Sequence, residues 1–239
     1  RYNETFYNDL IHDFVLVKIR FLYHTEQHDE LNILCNNCIK RIKENLNQNH
    51  FNHVQVLQWK SSYFEKIGDY KHMIENRLKA IEILQSLHSM HPKKYRMQLK
   101  FSHNNIAVRF RLRLNDLESC LKHVELSNSY SMPEDGTSYG IGKYQLAKVH
   151  AALKDHKKAM LHYQEAQPYF SDDTASQLFK KKLFELNMHM SLCHVDIKEG
   201  EKKLKTTLKE MENPKIQVFI SDDTRKQIQK AQDQLTPNK

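Results

Sequence analysis

YFEKIGDYKHMIENRLKAIEIL, residues 63–84, is the stretch of sequence that decides the fold. Gly68 can adopt the left-handed conformation that ends a helix, and Asp69 can cap the helix that follows. The segment therefore predicts two helices joined at a tight corner, the unit from which helical-repeat proteins are stacked. Four side chains of the second helix recur three to four residues apart and share one face: Tyr70, Met73, Arg77 and Ala80.

Similar corners recur along the chain, near residues 28, 115, 154 and 199. Together with the corner at 68, they are spaced 39 to 47 residues apart, which predicts about five stacked hairpins. The longest loop is expected over residues 131–142, and a terminal amphipathic helix over 223–235. Residues 171–174 and 221–224 repeat the tetrapeptide SDDT, which is typical of helix N-caps.

Two helical stretches depend on how the apolar pattern is interpreted. Residues 106–114, IAVRFRLRL, alternate apolar and basic side chains, as a strand does. We nevertheless predict a helix there, because a lone strand between helices would leave its backbone groups without partners. In the first helix, residues 4–24, the spacing predicts one buried stripe, formed by Phe6, Leu10, Phe14, Val17 and Phe21.

Composition favours helices and limits the classes of function. The 239 residues include only 5 Gly and 5 Pro, which argues against Gly-rich phosphate loops and multi-hairpin sheets. We find no GxGxxG, GxxxxGK[ST], GxSxG or HExxH motif, so we expect a non-catalytic protein without a cofactor. No run of 18 apolar residues and no signal peptide is present, and the 4 Cys do not form a secreted framework. We therefore expect a cytoplasmic protein.

Two segments, GDYKHMIENRLKAI at 68–81 and LAKVHAALKDHKKAMLHYQEAQP at 146–168, resemble the tetratricopeptide repeat (TPR) superfamily. The segment HNNIAVRF at 103–110 is similar to the first helix of a third repeat. This resemblance implies an all-α, TPR-like α-solenoid of about five helical hairpins with a C-terminal capping helix, forming a single domain over residues 1–239.

The long, irregular repeats also resemble the peptide-sensing domains of bacterial quorum-sensing regulators of the Rap, PlcR, NprR and Rgg type. That resemblance implies sensing of a signalling peptide and regulation of transcription. A homodimer is also compatible with it. Because the chain begins with Arg1 rather than Met, we expect an excerpt of a longer protein. A DNA-binding or effector domain is expected in the missing N-terminal part, and nucleic acid would be contacted only through it.

A TPR superhelix binds extended peptides along the concave side, which the first helix of each hairpin lines. Amide side chains can pair with a peptide backbone, and arginine can hold a carboxylate through two hydrogen bonds. The predicted partner is therefore a short peptide or protein segment with acidic groups or a free carboxylate. The register is open in the hairpin 93–129: one row at four-residue spacing, Asn105, Arg109 and Arg113, or the shifted row of Asn104 and Arg111 could face the groove. The predicted peptide-binding residues are Gln58, Asn104, Asn105, Arg109, Arg113, Tyr144 and Lys148.

Three alternatives remain beside peptide binding. A scaffold subunit of a larger complex would use the same groove. The net charge of +8 and the basic residues of 93–113 would suit a nucleic-acid-binding regulator. Cys35 and Cys38 followed by His50 and His53 suggest zinc, but the spacing is short for a finger, and we predict no metal site.

Overall fold

In the computed structural model of this chain, the described residues are 2–45, 50–170, 177–193 and 197–211, together with 226, 229, 230 and 233. Most of these residues are helical and none of them forms a strand, which confirms the all-α class. The chain divides into two compact units, Arg1–Asn115 and Asp116–Lys239. The α-helices are α1 (Tyr2–His24), α2 (His28–Asn45), α3 (Phe51–Lys66), α4 (Tyr70–Met90), α5 (Pro92–Arg109), α6 (Leu117–Ser129), α7 (Thr137–Ala152), α8 (His156–Ala166), α9 (Gln177–Leu192) and α10 (Ile197–Met211).

Three of the predicted corners are built in the same way. A residue in the left-handed region ends one helix, and the aspartate that follows caps the next. The left-handed residues are Gly68, Asn115 and Lys154, with φ of 79°, 52° and 63°. The carboxylates of Asp69, Asp116 and Asp155 accept hydrogen bonds from the backbone N–H of His72, Ser119 and Lys158, at 3.1, 2.9 and 3.2 Å. Each cap satisfies an N–H that the first turn of a helix leaves open.

The predicted apolar stripe of α1 is wrong. Phe14, Val17 and Phe21 are exposed on the surface, and the side chains of Phe6 and Leu10 lie outside the described ones. The buried face of α1 is instead the one that packs with α2 and α3, and burial of that face contributes to the core of the first unit. It carries Leu16, Ile19 and Leu22. Both faces of α1 are apolar, so spacing alone could not separate them.

The helical interpretation of residues 106–114 is confirmed, with an added feature. Helix α5 runs to Arg109 and continues as a π-helical segment over Phe110–Leu114. Within this stretch Ile106 is buried, Phe110 is half-buried and Leu114 is exposed. π-Helical turns occur mostly as single turns, frequently at functional sites.

Most of the loop predicted at 131–142 is helical instead. A 3₁₀ turn at Pro133–Asp135 leads directly into α7, which contains Gly140 and Gly142. These two glycines permit close packing: an added Cβ would lie 2.5 Å from the Cβ of Tyr169 and 2.7 Å from Oδ1 of Asn128, respectively. Tertiary contact therefore outweighs the low helix propensity of glycine.

The predicted corner at Glu199–Gly200 is also wrong, since both residues lie in the first turns of α10. A carboxylate is favourable at a helix N-terminus, which suits Glu199 to this place. The two SDDT caps and most of the predicted terminal helix lie outside the described residues.

The left-handed corners predict opposite effects for two substitutions. Gly68→Ala places a side chain at positive φ, which costs roughly 1 kcal/mol and about 2–4 °C in Tm. Lys154→Gly removes the same strain, and the gain is about 0.5 kcal/mol because glycine also loses more entropy on folding. Urea unfolding of both variants checks the pair. Equal changes of the same sign would contradict the shared geometry of these corners.

The aspartate caps predict a loss of stability in acid. Hydrogen bonds from the residue three positions later lower the pKa of Asp69, Asp116 and Asp155 below the usual value of 3.8. The stabilisation is therefore complete above the pKa of the unfolded chain and disappears as pH falls through the lower pKa of the folded state. The triple variant with Asn at all three positions keeps the caps but cannot titrate. Urea unfolding between about pH 5 and pH 3 should show a shallower loss for this variant.

Candidate binding site

Helices α3 and α5, both in the first unit, are joined by two side-chain contacts in the same register. Gln58 Nε2 donates to Ser102 Oγ at 3.3 Å, and Arg109 Nε donates to Glu65 Oε2 at 3.2 Å. In both pairs the two residues are 44 positions apart, so α3 and α5 run parallel. This register places Gln58 opposite Ser102. The predicted site residues Asn104 and Asn105 therefore lie further along α5 than the residue that Gln58 contacts.

A single carboxylate, that of Glu65, lies among three guanidinium groups. Besides Arg109, it has Arg113 Nε at 3.6 Å from Oε1 and Arg77 Nη2 at 4.0 Å from Oε2. The carboxylate is 19% exposed, so water only partly screens these interactions. One negative charge among three positive ones leaves the cluster, which we call the Glu65 cluster, with an excess of two positive charges.

Arg77 is the least solvated member of this cluster. Its side chain is 9% exposed, and its Nε has no hydrogen-bond partner among the described residues. Burial, and then the positive charge of Arg109, lower the pKa of Arg77 to about 10, although Glu65 opposes the shift. Arg77 therefore stays charged at neutral pH and retains capacity to donate hydrogen bonds to a further acceptor.

The π-helical segment carries Arg113 to the cluster. The guanidinium of Arg113 lies 6.0 Å from the ring centroid of Tyr70, at the start of α4, as well as near Glu65. Half of the Arg113 side chain is exposed, and so is a quarter of Arg109. The cluster is thus buried at Arg77 and open to solvent at Arg113.

The two asparagines of the predicted site are placed differently from the arginines. Asn105 is exposed, and its backbone carbonyl accepts a hydrogen bond from Arg109 Nη1 at 3.2 Å. Asn104 is half-buried, as is Arg111 of the alternative register. Arg109 and Arg113 both contact Glu65, so the structure brings together the two arginines of the first register considered.

In the second unit, Tyr144 is not available to a ligand. It is 1% exposed, packs against Tyr163 and Phe170, and donates from its hydroxyl to Glu185 Oε2 at 3.4 Å. This removes Tyr144 from the predicted site, because its ring belongs to the core. Lys148 is half-buried, with its Nζ 5.3 Å from the centroid of the Tyr144 ring.

A second polar cluster joins α7 and α8. Lys143 Nζ lies 2.9 Å and His162 Nδ1 lies 3.0 Å from Glu165 Oε2. Burial raises the pKa of the Glu165 carboxyl, but hydrogen bonds from these two residues outweigh it and lower the pKa overall. The His162 ring stacks on His150, whose pKa is lowered by burial and then by the neighbouring His162. These mutual contacts satisfy the polar groups and tie the two helices together.

The sequence elements considered for zinc have other roles. Burial, followed by the neighbouring Cys38, raises the pKa of the Cys35 thiol to about 12, which keeps it protonated. His50 caps α3, accepting a hydrogen bond at Nδ1 from the backbone N–H of Asn52 at 3.2 Å. Over the described ranges, no group of three or more His, Cys, Asp or Glu is arranged to hold a metal ion. A search of the same ranges finds no helix with the length and apolarity needed to cross a bilayer.

Glu65 and Arg77 are the members of the cluster that the sequence analysis missed. Glu65 was counted only as part of the decisive hairpin, and Arg77 only as part of a buried helical face. The 44-residue offset between Glu65 and Arg109 lies within the observed spacing of the corners, so aligning adjacent hairpins would have paired them.

Double-mutant cycles can measure these contacts through the free energy of unfolding. Glu65→Gln should destabilise the chain by about 2 kcal/mol, because it leaves the buried Arg77 charge without its counter-ion. Its coupling with Arg109→Gln should be about 1 kcal/mol, and with the more exposed Arg113→Gln about 0.5 kcal/mol. Arg111→Gln is the matched control, since it removes the same charge from the same segment. Equal coupling of Glu65 to Arg109 and Arg111 would contradict the assigned contacts.

The fold has clear counterparts among solved structures. Two crystal structures of a putative kinesin light chain from Podosopora anserina, described as nearly identical TPR-like repeats, match with a TM-score of 0.60 each. The first is 10% identical in sequence, covering 95% of this chain and 97% of that one; the second, a substituted form of the same protein, is 11% identical and covers 95% and 96%. No protein-family model matches the chain, and no curated protein shows significant sequence similarity. At this level of identity the likeness shows the fold alone: the chain is a TPR-like α-solenoid.

Proposed function

We propose that this chain is a non-catalytic binding module that takes a short peptide or protein segment carrying an acidic side chain or a free carboxylate. The TPR-like fold commonly mediates protein–protein interactions and is typically non-catalytic. The observation that carries the proposal is the Glu65 cluster, in which three arginines surround one carboxylate.

The charge and exposure of this cluster support a carboxylate ligand. Its excess of two positive charges is concentrated beside a buried guanidinium, where low solvation strengthens attraction to an anion. Arg109 and Arg113 reach the solvent and can present their terminal N–H groups to a ligand while Nε remains directed at Glu65. Asn105, exposed one turn before Arg109, supplies an amide for the backbone of the same peptide.

Sensing of a bacterial signalling peptide is the sharpest form of this proposal. Such peptides are short and end in a free carboxylate, the chemistry that the arginines suit. Gln58 and Asn104 belong to the proposed site in the first unit. Lys148, in the second unit, stays a separate prediction.

A nucleic-acid surface within residues 93–113 receives less support. Lys100 and Tyr95 of this region are buried, and Arg109 and Arg113 already lie against a carboxylate. Stacking on bases needs exposed aromatic rings among free cations, and here only Phe101 is strongly exposed. The scaffold alternative stays a prediction, since no contact described here favours it.

Binding of peptides with and without carboxylates tests the proposal. We expect the immobilised chain to select, from a random heptapeptide library with free C-termini, peptides that are rich in Asp or Glu or that need their C-terminal carboxylate for binding. Titration calorimetry of selected peptides should show about tenfold weaker binding after Arg109→Gln or Arg113→Gln, the loss of one charge-assisted hydrogen bond. Amidation of the peptide or replacement of its acidic residue should have a similar effect.

Arg111→Gln serves as the matched control, because it lowers the net charge equally and lies between the two arginines. Its affinity should stay within about twofold of the original if specific contacts rather than overall charge carry the binding. Urea unfolding of each variant verifies that the Glu65 contacts have not collapsed. Selection without enrichment of acidic groups, or equal loss in all three arginine variants, would refute the proposed site.

A further inference from the structure

Helix α1 carries an exposed apolar face that the proposed peptide binding does not use. Phe14, Val17 and Phe21 are 69%, 62% and 59% exposed. They follow one another at spacings of three and four residues, so they form one stripe on the side of α1 away from the buried Leu16 and Ile19. Large apolar side chains grouped in this way mark an interaction surface.

Two opposite charges flank this stripe on the same side. Asp13 and Arg20 are seven residues apart, and two full turns of a helix bring them nearly into line, about 10 Å apart along the axis. Both are exposed, and neither makes an ion pair with another side chain in the described part of the chain. A partner that covers the stripe therefore meets a negative charge near one end and a positive charge near the other.

A second copy of the same helix satisfies this pattern when it lies antiparallel. With a two-fold axis at Val17, Phe14 of one copy lies opposite Phe21 of the other, within about 1.5 Å along the axis. The two-fold axis also brings the flank that carries Asp13 and Arg20 against the same flank of the other copy. Asp13 of each copy therefore lies opposite Arg20 of the other, which gives two ion pairs. Lys18, on the other flank near the axis, is exposed and long enough to direct its ammonium group into solvent.

We infer that the chain forms a two-fold symmetric dimer through the Phe14, Val17 and Phe21 face of α1, aligned by reciprocal Asp13–Arg20 ion pairs. The interface is isologous and is centred on Val17, so every contact occurs twice except the central one. It leaves the Glu65 cluster uncovered, because that cluster is formed by α3, α4, the end of α5 and the π-helical segment. The inference does not depend on the proposed peptide binding.

Charge exchange gives a specific test of this geometry. Sedimentation velocity of the full chain at roughly 1 to 200 µM should show a reversible monomer–dimer equilibrium. Asp13→Arg or Arg20→Asp alone should weaken the dimer about tenfold, because each places like charges together at two symmetric sites. The double exchange, Asp13→Arg with Arg20→Asp, should return the dissociation constant to within about threefold of the original.

Two further variants separate the apolar face from general surface effects. Val17→Glu places two carboxylates at the axis and should abolish the dimer. Ile33→Glu is the matched control, since Ile33 is 59% exposed on α2 and lies outside the stripe. All of these positions are exposed, so circular dichroism should show unchanged helicity. A chain that stays monomeric over this range, or a double exchange that fails to restore the dimer, would overturn the inference.

Discussion

The packing of the first unit depends on the charge of one carboxylate. Glu65 lies in the last turn of α3 beside the corner, and its oxygens face arginines from α4, from α5 and from the π-helical segment. Burying the guanidinium of Arg77 without a counter-ion would cost far more free energy than the packing of one neutral core side chain provides. Helix α5 is therefore held on the α3–α4 hairpin by packing against α4 and by this electrostatic contact at one end. The contact also fixes the parallel register of α3 and α5.

Local sequence signals were sufficient to locate most corners, because their geometry is decided by adjacent residues. Gly68–Asp69, Asn115–Asp116 and Lys154–Asp155 each combine a left-handed residue with a capping carboxylate. Glycines were misleading where the reason for them is tertiary. Gly140 is in a helix because Tyr169 lies against it, and no pattern around residue 140 contains that information. The stripe of α1 failed for a related reason, since spacing reveals an apolar face but not which of two faces is covered.

The candidate site was only partly predictable. Arg109 and Arg113 were identified from helical spacing, and the structure places both at one carboxylate. Tyr144 was assigned to a groove from its position in a repeat, yet it is a core residue of the second unit. Glu65 and Arg77 were missed because their importance arises between hairpins. A charge becomes informative only when its partner 44 residues away is known.

The same arginines that attach α5 to the α3–α4 hairpin are those proposed to bind a ligand, and this links binding to packing. A ligand carboxylate that shares Arg109 and Arg113 with Glu65 reduces the mutual repulsion of the three guanidinium groups, which is strongest when α3, α4 and α5 are packed. Such a ligand binds the packed arrangement more tightly than a loosened one and must therefore stabilise it to the same extent. If it instead displaced Glu65, the buried Arg77 would keep a counter-ion only while the ligand remained bound. In either case an acidic peptide at this site would change how firmly α5 is attached to the preceding hairpin.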